Sequence, residues 1–221
     1  MKKAHLLPLP DGVAQSPVEN IFEWISNEKR LLSIAEVNWP EFPYAPEVSA
    51  RIYHTPDAFY ILFDVLERDL RIAATADGGL IWEDSCVEFF IQPESHQGYY
   101  NYEFNAAGKM LLGYGRGRSE RISAPGEVLN KVVRYSKITT VHQENACESR
   151  CHWRLMVRIA FETLFRHKFT PVSGESIRAN LYKCGDKLPQ PHFLSWNRID
   201  TLVPDFHRPE FFGVMTFISH P

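Results

Sequence analysis

Apolar and polar residues alternate with a period of two along several segments of the chain, and this pattern favours a fold built from β-strands. In residues 153–161, Trp153, Leu155 and Val157 lie on one face of an extended segment, and the intervening arginines lie on the other. Residues 176–183 alternate in the same way. Both segments are too short and too strictly alternating for helices, so each is predicted to be a strand with one buried face.

Further strands are predicted where β-branched and aromatic residues run between turn-forming residues. They cover residues 51–54, 59–65, 70–74, 87–92, 99–105, 110–114 and 211–217. One short helix is predicted within residues 18–32. Many short strands with little helix predict an all-β fold, an antiparallel, jelly-roll-like β-sandwich with short helical additions at the N-terminus. Residues 1–221 form a single domain, onto which a Pro-rich N-terminal extension, residues 1–47, is expected to pack.

Composition and charge exclude several classes of function. The chain has 221 residues, with 24 Lys and Arg against 27 Asp and Glu, and a net charge of −3. This balance predicts no nucleic-acid partner and no basic face for a membrane surface. The N-terminus starts with two lysines but lacks the apolar segment of a signal peptide. As the sequence stands, a cytoplasmic location is expected, and a periplasmic or secreted one if a leader has been removed.

Four cysteines are present, in two different contexts. Cys86 and Cys184 lie in apolar, strand-like runs, where buried thiols are expected. Cys147 and Cys151 flank a Glu-Ser-Arg tripeptide, with His152 next. A structural zinc site needs four ligands, and this segment supplies too few at suitable spacing. The sequence therefore predicts free or locally paired thiols and no bound metal.

Two tracts combine a tryptophan with nearby charged or amide side chains. The first runs Trp-Glu-Asp-Ser-Cys-Val-Glu from Trp82 to Glu88, and the second ends in Ser-Trp-Asn at Asn197. A flat aromatic face beside fixed hydrogen-bonding groups is what a sugar ring requires. Glu88 shares a strand face with Cys86 and Phe90, so its carboxylate should be partly desolvated and needs a partner. That partner is expected to be an arginine on a later strand, Arg158 or Arg178 with Arg178 favoured, in a binding pocket or in a structural ion pair.

Both tracts together resemble family 9 carbohydrate-binding modules over residues 48–217. The resemblance implies a slot in which two tryptophans, here Trp82 and Trp196, enclose the terminal sugar of a carbohydrate chain. It also implies that Glu88, Arg178 and Asn197 hold the sugar hydroxyls. Tyr182 joins this set because it lies on the same strand face as Arg178.

The resemblance further implies binding without catalysis and a carbohydrate ligand as the partner. No cofactor is expected. Such modules often hold structural calcium, but no Asp-x-Asp-x-Asp loop indicates it here. Residues 204–213 resemble the closing segment of the family and are expected to be architectural.

Three other functions remain open from the residues alone. A glycoside hydrolase would need two carboxyl groups about 5–10 Å apart, and the candidates are Glu83, Asp84, Glu88 and Glu103. Only Glu88 among the acidic residues near Trp82 is expected to point into the slot. A haem-binding sandwich would use Met and His ligands, with Met110, Met156, His152 and His192 as the candidates by type. A protein-interaction sandwich would use the tryptophans as interface anchors.

Overall fold

The computed structural model describes residues 1–93, 98–141 and 150–219. These residues form fourteen strands. In chain order the strands are β1 (Lys3–Pro8), β2 (Leu32–Ser33), β3 (Glu36–Val37), β4 (Glu47–His54), β5 (Ala58–Glu67), β6 (Cys86–Gln92), β7 (Tyr99–Asn105), β8 (Met110–Gly115), β9 (Ile122–Ser123), β10 (Val132–Val141), β11 (Arg150–Ala160), β12 (Ser176–Cys184), β13 (Phe193–Ser195) and β14 (Gly213–Phe217). The α-helices are α1 (Asp11–Ala14), α2 (Val18–Asn27) and α3 (Gly126–Leu129).

The strands form two halves of a curled sheet that pack as a sandwich. The back sheet has the order β10-β11-β5-β4, and the front sheet has the order β14-β12-β6-β7-β8-β9. Strand β1 joins the halves because residues 3–6 pair with β14 and residues 7–8 pair with β4. Both pairings of β1 are parallel, whereas the other pairings among the described strands are antiparallel. The predicted sandwich is confirmed, but the sheet is mixed rather than wholly antiparallel.

Aromatic and aliphatic side chains from both sheets fill the space between them. Phe59 and Phe63 of β5 face Phe89 of β6 and Tyr102 of β7, and all four are fully buried. The rings of Phe59 and Phe89 are 5.6 Å apart in an edge-to-face arrangement. Each such side chain stabilises the fold by roughly 1.5–3 kcal/mol through burial. This core fixes the front sheet, whose outer face carries the cavity described below.

Most of the predicted strands form, while the predicted strand over residues 70–74 does not. Backbone N–H groups of Ala73 and Ala74 donate to the carboxylate of Asp84, at 2.8 and 2.9 Å, so this segment is held by a side chain rather than by a neighbouring strand. The predicted helix is α2, which ends at Asn27, short of residue 32. Within residues 1–47, β1 is part of the sandwich itself.

The outer faces of the two sheets are covered differently. Helix α2 lays Ile21, Phe22 and Ile25 on the outer face of the back sheet. The outer face of the front sheet instead supports an aromatic cluster that includes Tyr99 and Tyr182. Loops and two single-turn 3₁₀ helices, Ile81–Glu83 and Pro209–Phe211, cover this second face, which leaves room for a cavity. Every described helix is too short or too polar to span a lipid bilayer.

Candidate functional site

A cavity of about 340 Å³ opens on the outer face of the front sheet. Pockets of roughly 300–1,000 Å³ are typical of small-ligand sites. Its floor is formed by side chains of β6, β7 and β12. Its walls come from the 3₁₀ helix that contains Trp82 and from the loops around residues 118, 186 and 205. The lining residues are Trp82, Glu88, Asn101, Glu103, Leu111, Arg118, Arg121, Cys184, Asp186, Phe193, Pro204, Asp205, Phe206 and His207.

A chain of hydrogen bonds fixes one side of the floor. Arg121 donates from Nε and Nη2 to Asn101 Oδ1, at 3.0 and 2.7 Å. Asn101 in turn donates from Nδ2 to Glu103 Oε1 at 2.8 Å. The other carboxylate oxygen of Glu103, Oε2, is buried and has no hydrogen-bond partner among the described residues. Unpaired buried polar atoms are costly, so this oxygen still needs a hydrogen-bond partner, and Glu103 lines the cavity.

Glu88 lies directly opposite Glu103 on the neighbouring strand, so the two side chains share the floor. The thiol of Cys184 donates to Glu88 Oε1 across 3.1 Å, and the thiol of Cys86 lies 3.9 Å from the same oxygen. All four side chains are at most 4% exposed. The floor therefore carries two carboxyl groups and two thiols withdrawn from bulk water.

Burial shifts the protonation of the acidic groups in the cavity. Desolvation, followed by the proximity of Glu103, raises the pKa of Glu88 well above its ordinary value. Desolvation raises the pKa of Glu103 to about 7 and that of Asp186 to about 6. Burial also raises the pKa of the Cys86 thiol to about 12. At neutral pH the floor consequently presents protonated and ionised carboxyl groups, which can both donate and accept hydrogen bonds.

Basic groups complete the polar part of the cavity. Arg118 is exposed at the mouth, while Arg121 is half-buried below it. His207 lies with Nδ1 2.8 Å from the hydroxyl of Tyr99. Burial, and then the nearby Arg121 and Arg118, lower the pKa of His207 to about 3, so its ring is neutral at ordinary pH. The arginines supply hydrogen-bond donors, and the neutral imidazole has one donor and one acceptor nitrogen.

Aromatic side chains form the apolar wall. Trp82 is half-buried and packs on the aromatic cluster while also lining the cavity. Phe206 is held by Tyr182, whose ring stacks on it at 4.2 Å and 8° and whose hydroxyl donates to its carbonyl at 3.2 Å. Phe193 lies at 6.2 Å from Phe206, edge to face. These rings give the cavity an apolar surface beside its polar groups.

The structure places Trp82 and Glu88 in the cavity but does not bring Trp196 there. Trp196 is 3% exposed and belongs to the core between the sheets. Its ring lies so close to Gly213 that a Cβ on that glycine would be 2.4 Å from a ring carbon. The polar neighbours of Trp196 do not mark a surface loop, because both Ser195 and Asn197 are buried and hydrogen-bonded. The prediction that two tryptophans face a common cleft is therefore wrong.

Three other predicted site residues also have structural partners outside the cavity. Arg178 donates to the carbonyls of Glu210 and Phe212, at 3.0 and 3.1 Å, rather than to Glu88. Asn197 accepts the backbone N–H of Lys2 at 2.6 Å and thereby anchors the start of β1. Tyr182 is fully buried beneath Phe206. The predicted Glu88–Arg178 pair is wrong because the two side chains are bound by different groups.

Several cavity residues were missed or assigned another role. Residues 204–213 were expected to be architectural, yet Asp205 and His207 line the cavity. Glu88 was expected to be the carboxyl group that points into the slot, but Glu103 and Asp186 also line the cavity. Glu103 had a sequence signal, since it alternates with buried aromatics in β7. The neighbours Glu83 and Asp84 do not line the cavity, and Asp84 binds backbone N–H groups instead.

The candidate haem ligands do not converge. Met110 lies in the core between the sheets, and Met156 lies in the cluster under α2. His192 is fully buried beside Lys183, and His152 pairs with Asp64 at 2.7 Å. Cys147, whose thiol was predicted to be free or locally paired, lies outside the described residues.

A cavity lined by aromatic and carboxyl side chains on one outer face of a β-sandwich is typical of small-ligand-binding domains. The sequence model described as Carbohydrate-binding family 9 matches residues 23–217, which is most of the chain. The chain therefore belongs to this carbohydrate-binding family, and the predicted resemblance is confirmed. A comparison with curated proteins found no match.

Solved structures agree with this assignment. A Bacteroides uniformis protein whose proposed role is carbohydrate binding is 36% identical, with a TM-score of 0.86, and the match covers 98% of this chain and 99% of that one. A family 9 module from Caldicellulosiruptor kristjanssonii in complex with glucose has 14% identity and a TM-score of 0.57, covering 100% and 97%. A family 9 module from the same organism in complex with cellotriose has 13% identity and a TM-score of 0.58. That match covers 100% of this chain and 95% of the module. The last two likenesses concern the fold alone.

Proposed function

We propose that the cavity binds a terminal sugar or a short oligosaccharide and does not alter it chemically. The observation that carries this proposal is that Glu103 lines the cavity and its buried Oε2 has no partner among the described residues. A sugar hydroxyl would satisfy it, because a hydroxyl can donate to a carboxylate and accept from another group. The aromatic wall at Trp82 supplies the second requirement, an apolar face for the C–H side of a sugar ring.

The mixture of donors and acceptors further favours a ligand rich in hydroxyl groups. Arg118 and Arg121 donate, the ionised form of Asp186 accepts, and a protonated Glu88 can do both. A purely anionic ligand would be repelled by the ionised carboxyl groups of the cavity. A purely apolar ligand would leave these carboxyl groups without hydrogen-bond partners. This proposed slot differs from the one predicted from the sequence, because one tryptophan rather than two lines it.

Calorimetric titration tests the proposal. The first ligands are glucose and cellotriose, the sugars found in the Caldicellulosiruptor modules, followed by a panel of other mono- and disaccharides. We expect at least one sugar to bind with one-to-one stoichiometry. Glu103→Gln should weaken its binding by about 10- to 100-fold, since hydrogen bonds to charged groups contribute about 1.5–3 kcal/mol.

The matched control is Glu23→Gln, which makes the same chemical change on the exposed face of α2. This variant should bind sugar as tightly as the wild type. Absence of heat for every sugar in the panel would contradict the proposed function. Equal affinity for the wild type and Glu103→Gln would show that a sugar binds elsewhere.

A further inference from the structure

Three buried side chains at the cavity floor carry metal-ligand atoms within reach of one another. Cys86 and Cys184 are directly opposite on the neighbouring strands β6 and β12, and Glu88 lies two residues beyond Cys86 on the same face. One ligand atom from each of the three residues lies within 4.8 Å of the others. The three residues are at most 3% exposed. The β-sheet register, rather than any local sequence spacing, creates this cluster.

The two sulfur–oxygen distances within the cluster are close to an edge of a coordination tetrahedron. Glu88 Oε1 lies 3.1 Å from the sulfur of Cys184 and 3.9 Å from the sulfur of Cys86. Zinc binds sulfur at about 2.3 Å and carboxylate oxygen at about 2.0–2.2 Å, so sulfur and oxygen ligands of one tetrahedral ion are separated by roughly 3.6 Å. The two observed separations bracket this value. Shifts of about half an ångström would bring both sulfur–oxygen separations to this value, and the two sulfurs lie within 4.8 Å of each other.

The cluster is closed on one side and open on the other. Cys184 and Glu88 line the cavity, while Cys86 lies behind them in the aromatic cluster. The neighbouring Lys183 points away, because its Nζ contacts Glu67 Oε2 at 2.9 Å. The ammonium group of Lys183 therefore lies outside the cluster. Three protein ligands with a fourth position facing a cavity is the arrangement of zinc sites that accept water or another oxygen ligand.

We propose that Cys86, Glu88 and Cys184 bind a thiophilic divalent cation, of which Zn²⁺ is the representative, with the fourth ligand supplied from the cavity. Two thiolates and one carboxylate suit zinc better than calcium or magnesium, which prefer oxygen ligands. Binding replaces the S–H to Oε1 contact of Cys184 by metal bonds, and each cysteine releases one proton to solvent as its thiolate forms. No electron transfer is involved. The site shares Glu88 and the cavity with the proposed sugar site, but binding of the cation does not require a sugar.

The experiment is a titration of the reduced, metal-free protein with Co²⁺, a spectroscopic substitute for Zn²⁺, in the absence of sugar. We expect one Co²⁺ per chain, an absorption band of thiolate-to-cobalt charge transfer, and its loss when Zn²⁺ displaces the cobalt. Zn²⁺ should also raise the melting temperature, since a ligand that binds only the folded state stabilises it. A protein without a charge-transfer band would overturn the proposal.

A double variant separates this cluster from the other two cysteines. Cys147→Ser with Cys151→Ser removes the thiols outside the cluster and should leave the band and its stoichiometry unchanged. Loss of the band in this variant would place the metal at those cysteines and would also overturn the proposal. This variant leaves the buried cluster unaltered, so it is informative even if variants of the cluster unfold.

Variants of the cluster provide the positive test. Cys184→Ser and Glu88→Gln should each weaken cobalt binding at least about 100-fold. Loss of a metal ligand costs more than loss of a hydrogen bond to a metal ligand, which weakens binding about 10- to 100-fold. Circular dichroism checks that each variant is folded. A folded Cys184→Ser protein with wild-type cobalt affinity would contradict the proposed ligand set. Sugar titrations in chelator are independent of this result, so failure of one proposal leaves the other intact.

Discussion

Lys183 Nζ lies 2.9 Å from Glu67 Oε2, and both side chains are completely buried. Lys183 belongs to β12 of the front sheet and Glu67 to β5 of the back sheet, so the ion pair connects the two sheets. Trp153 Nε1 donates to the other oxygen of Glu67 at 2.6 Å, and His192 Nε2 lies 2.8 Å from Lys183 Nζ. The pair neutralises two charges that neither sheet could bury alone.

Lys183→Met should lower the free energy of unfolding by about 3–5 kcal/mol, because it leaves the carboxylate of Glu67 buried without its cation. Urea unfolding measures the loss. The double variant Lys183→Met with Glu67→Gln removes both charges and should recover part of the stability. A single variant as stable as the wild type would show that the ion pair does not support the fold.

The lowered pKa of His192 should make the free energy of unfolding depend on pH. Burial, and then the charge of Lys183, lower its pKa to about 3, so it stays neutral in the folded protein. In the unfolded chain it takes up a proton below its ordinary pKa of about 6.5. The folded state therefore binds fewer protons between those two values, and stability falls as the pH drops through about 6.5. The loss from pH 8 to pH 5 should be about 2 kcal/mol.

The measurement is the difference in unfolding free energy between the wild type and His192→Asn at each pH. The difference isolates one histidine from the carboxyl groups of the cavity, whose raised pKa values act in the opposite direction. It should shrink by about 2 kcal/mol between pH 8 and pH 5. His5→Asn, at an exposed position, is the control for removing an imidazole. A difference that is constant with pH would refute the prediction.

The sequence predicted the sandwich well because its strands have clear alternation. The face of β6 with Val87, Phe89 and Ile91 is buried between the sheets, as the pattern requires. The N-terminal strand β1 escaped detection because its two partners, β14 and β4, are distant along the chain. Such a strand depends on tertiary pairing rather than on a local signal.

The site was predicted less well, for a physical reason. Trp82 and Glu88 lie in one short segment, and both line the cavity. The other residues that line the cavity come from loops and strands that are distant in sequence and lie together only in the folded sheet. Polar residues beside Trp196 suggested exposure, but a buried Asn such as Asn197 can be fully satisfied by backbone groups. Local polarity therefore could not distinguish a surface loop from a hydrogen-bonded interior.

Trp82→Ala should weaken sugar binding, whereas Trp196→Ala should lower the stability of the fold. Removing Trp82 deletes the aromatic wall of the cavity and should weaken sugar binding about thirtyfold, or about 2 kcal/mol, with a small change in stability. Removing Trp196 leaves a void in the core and should cost about 3–5 kcal/mol of stability. Calorimetric titration and urea unfolding of both variants provide the test. Sugar affinity that depends on Trp196 in a folded protein, but not on Trp82, would reverse this assignment.

The protein should not hydrolyse glycosides, despite the two carboxyl groups at its cavity floor. Hydrolysis needs one carboxylic acid and one carboxylate on opposite sides of the scissile bond, about 5–10 Å apart. Glu88 and Glu103 lie directly opposite each other on adjacent strands and project from the same face of the sheet. Side chains in such a pair start only about 4.5–5.5 Å apart, so a sugar would rest on both rather than between them.

Glu103 nevertheless has a pKa raised to about 7, a value suited to proton donation, so the prediction needs a direct assay. Aryl glycosides and cellotriose incubated with the protein should release no more product than a blank without protein. The acidic group at the rim, Asp186, is the remaining carboxyl with a raised pKa that could face Glu103 across a ligand. Sustained turnover that is lost in Glu103→Gln and retained in Glu23→Gln would identify a hydrolase. It would also place the reacting bond between Glu103 and a second carboxyl group rather than on the sheet surface.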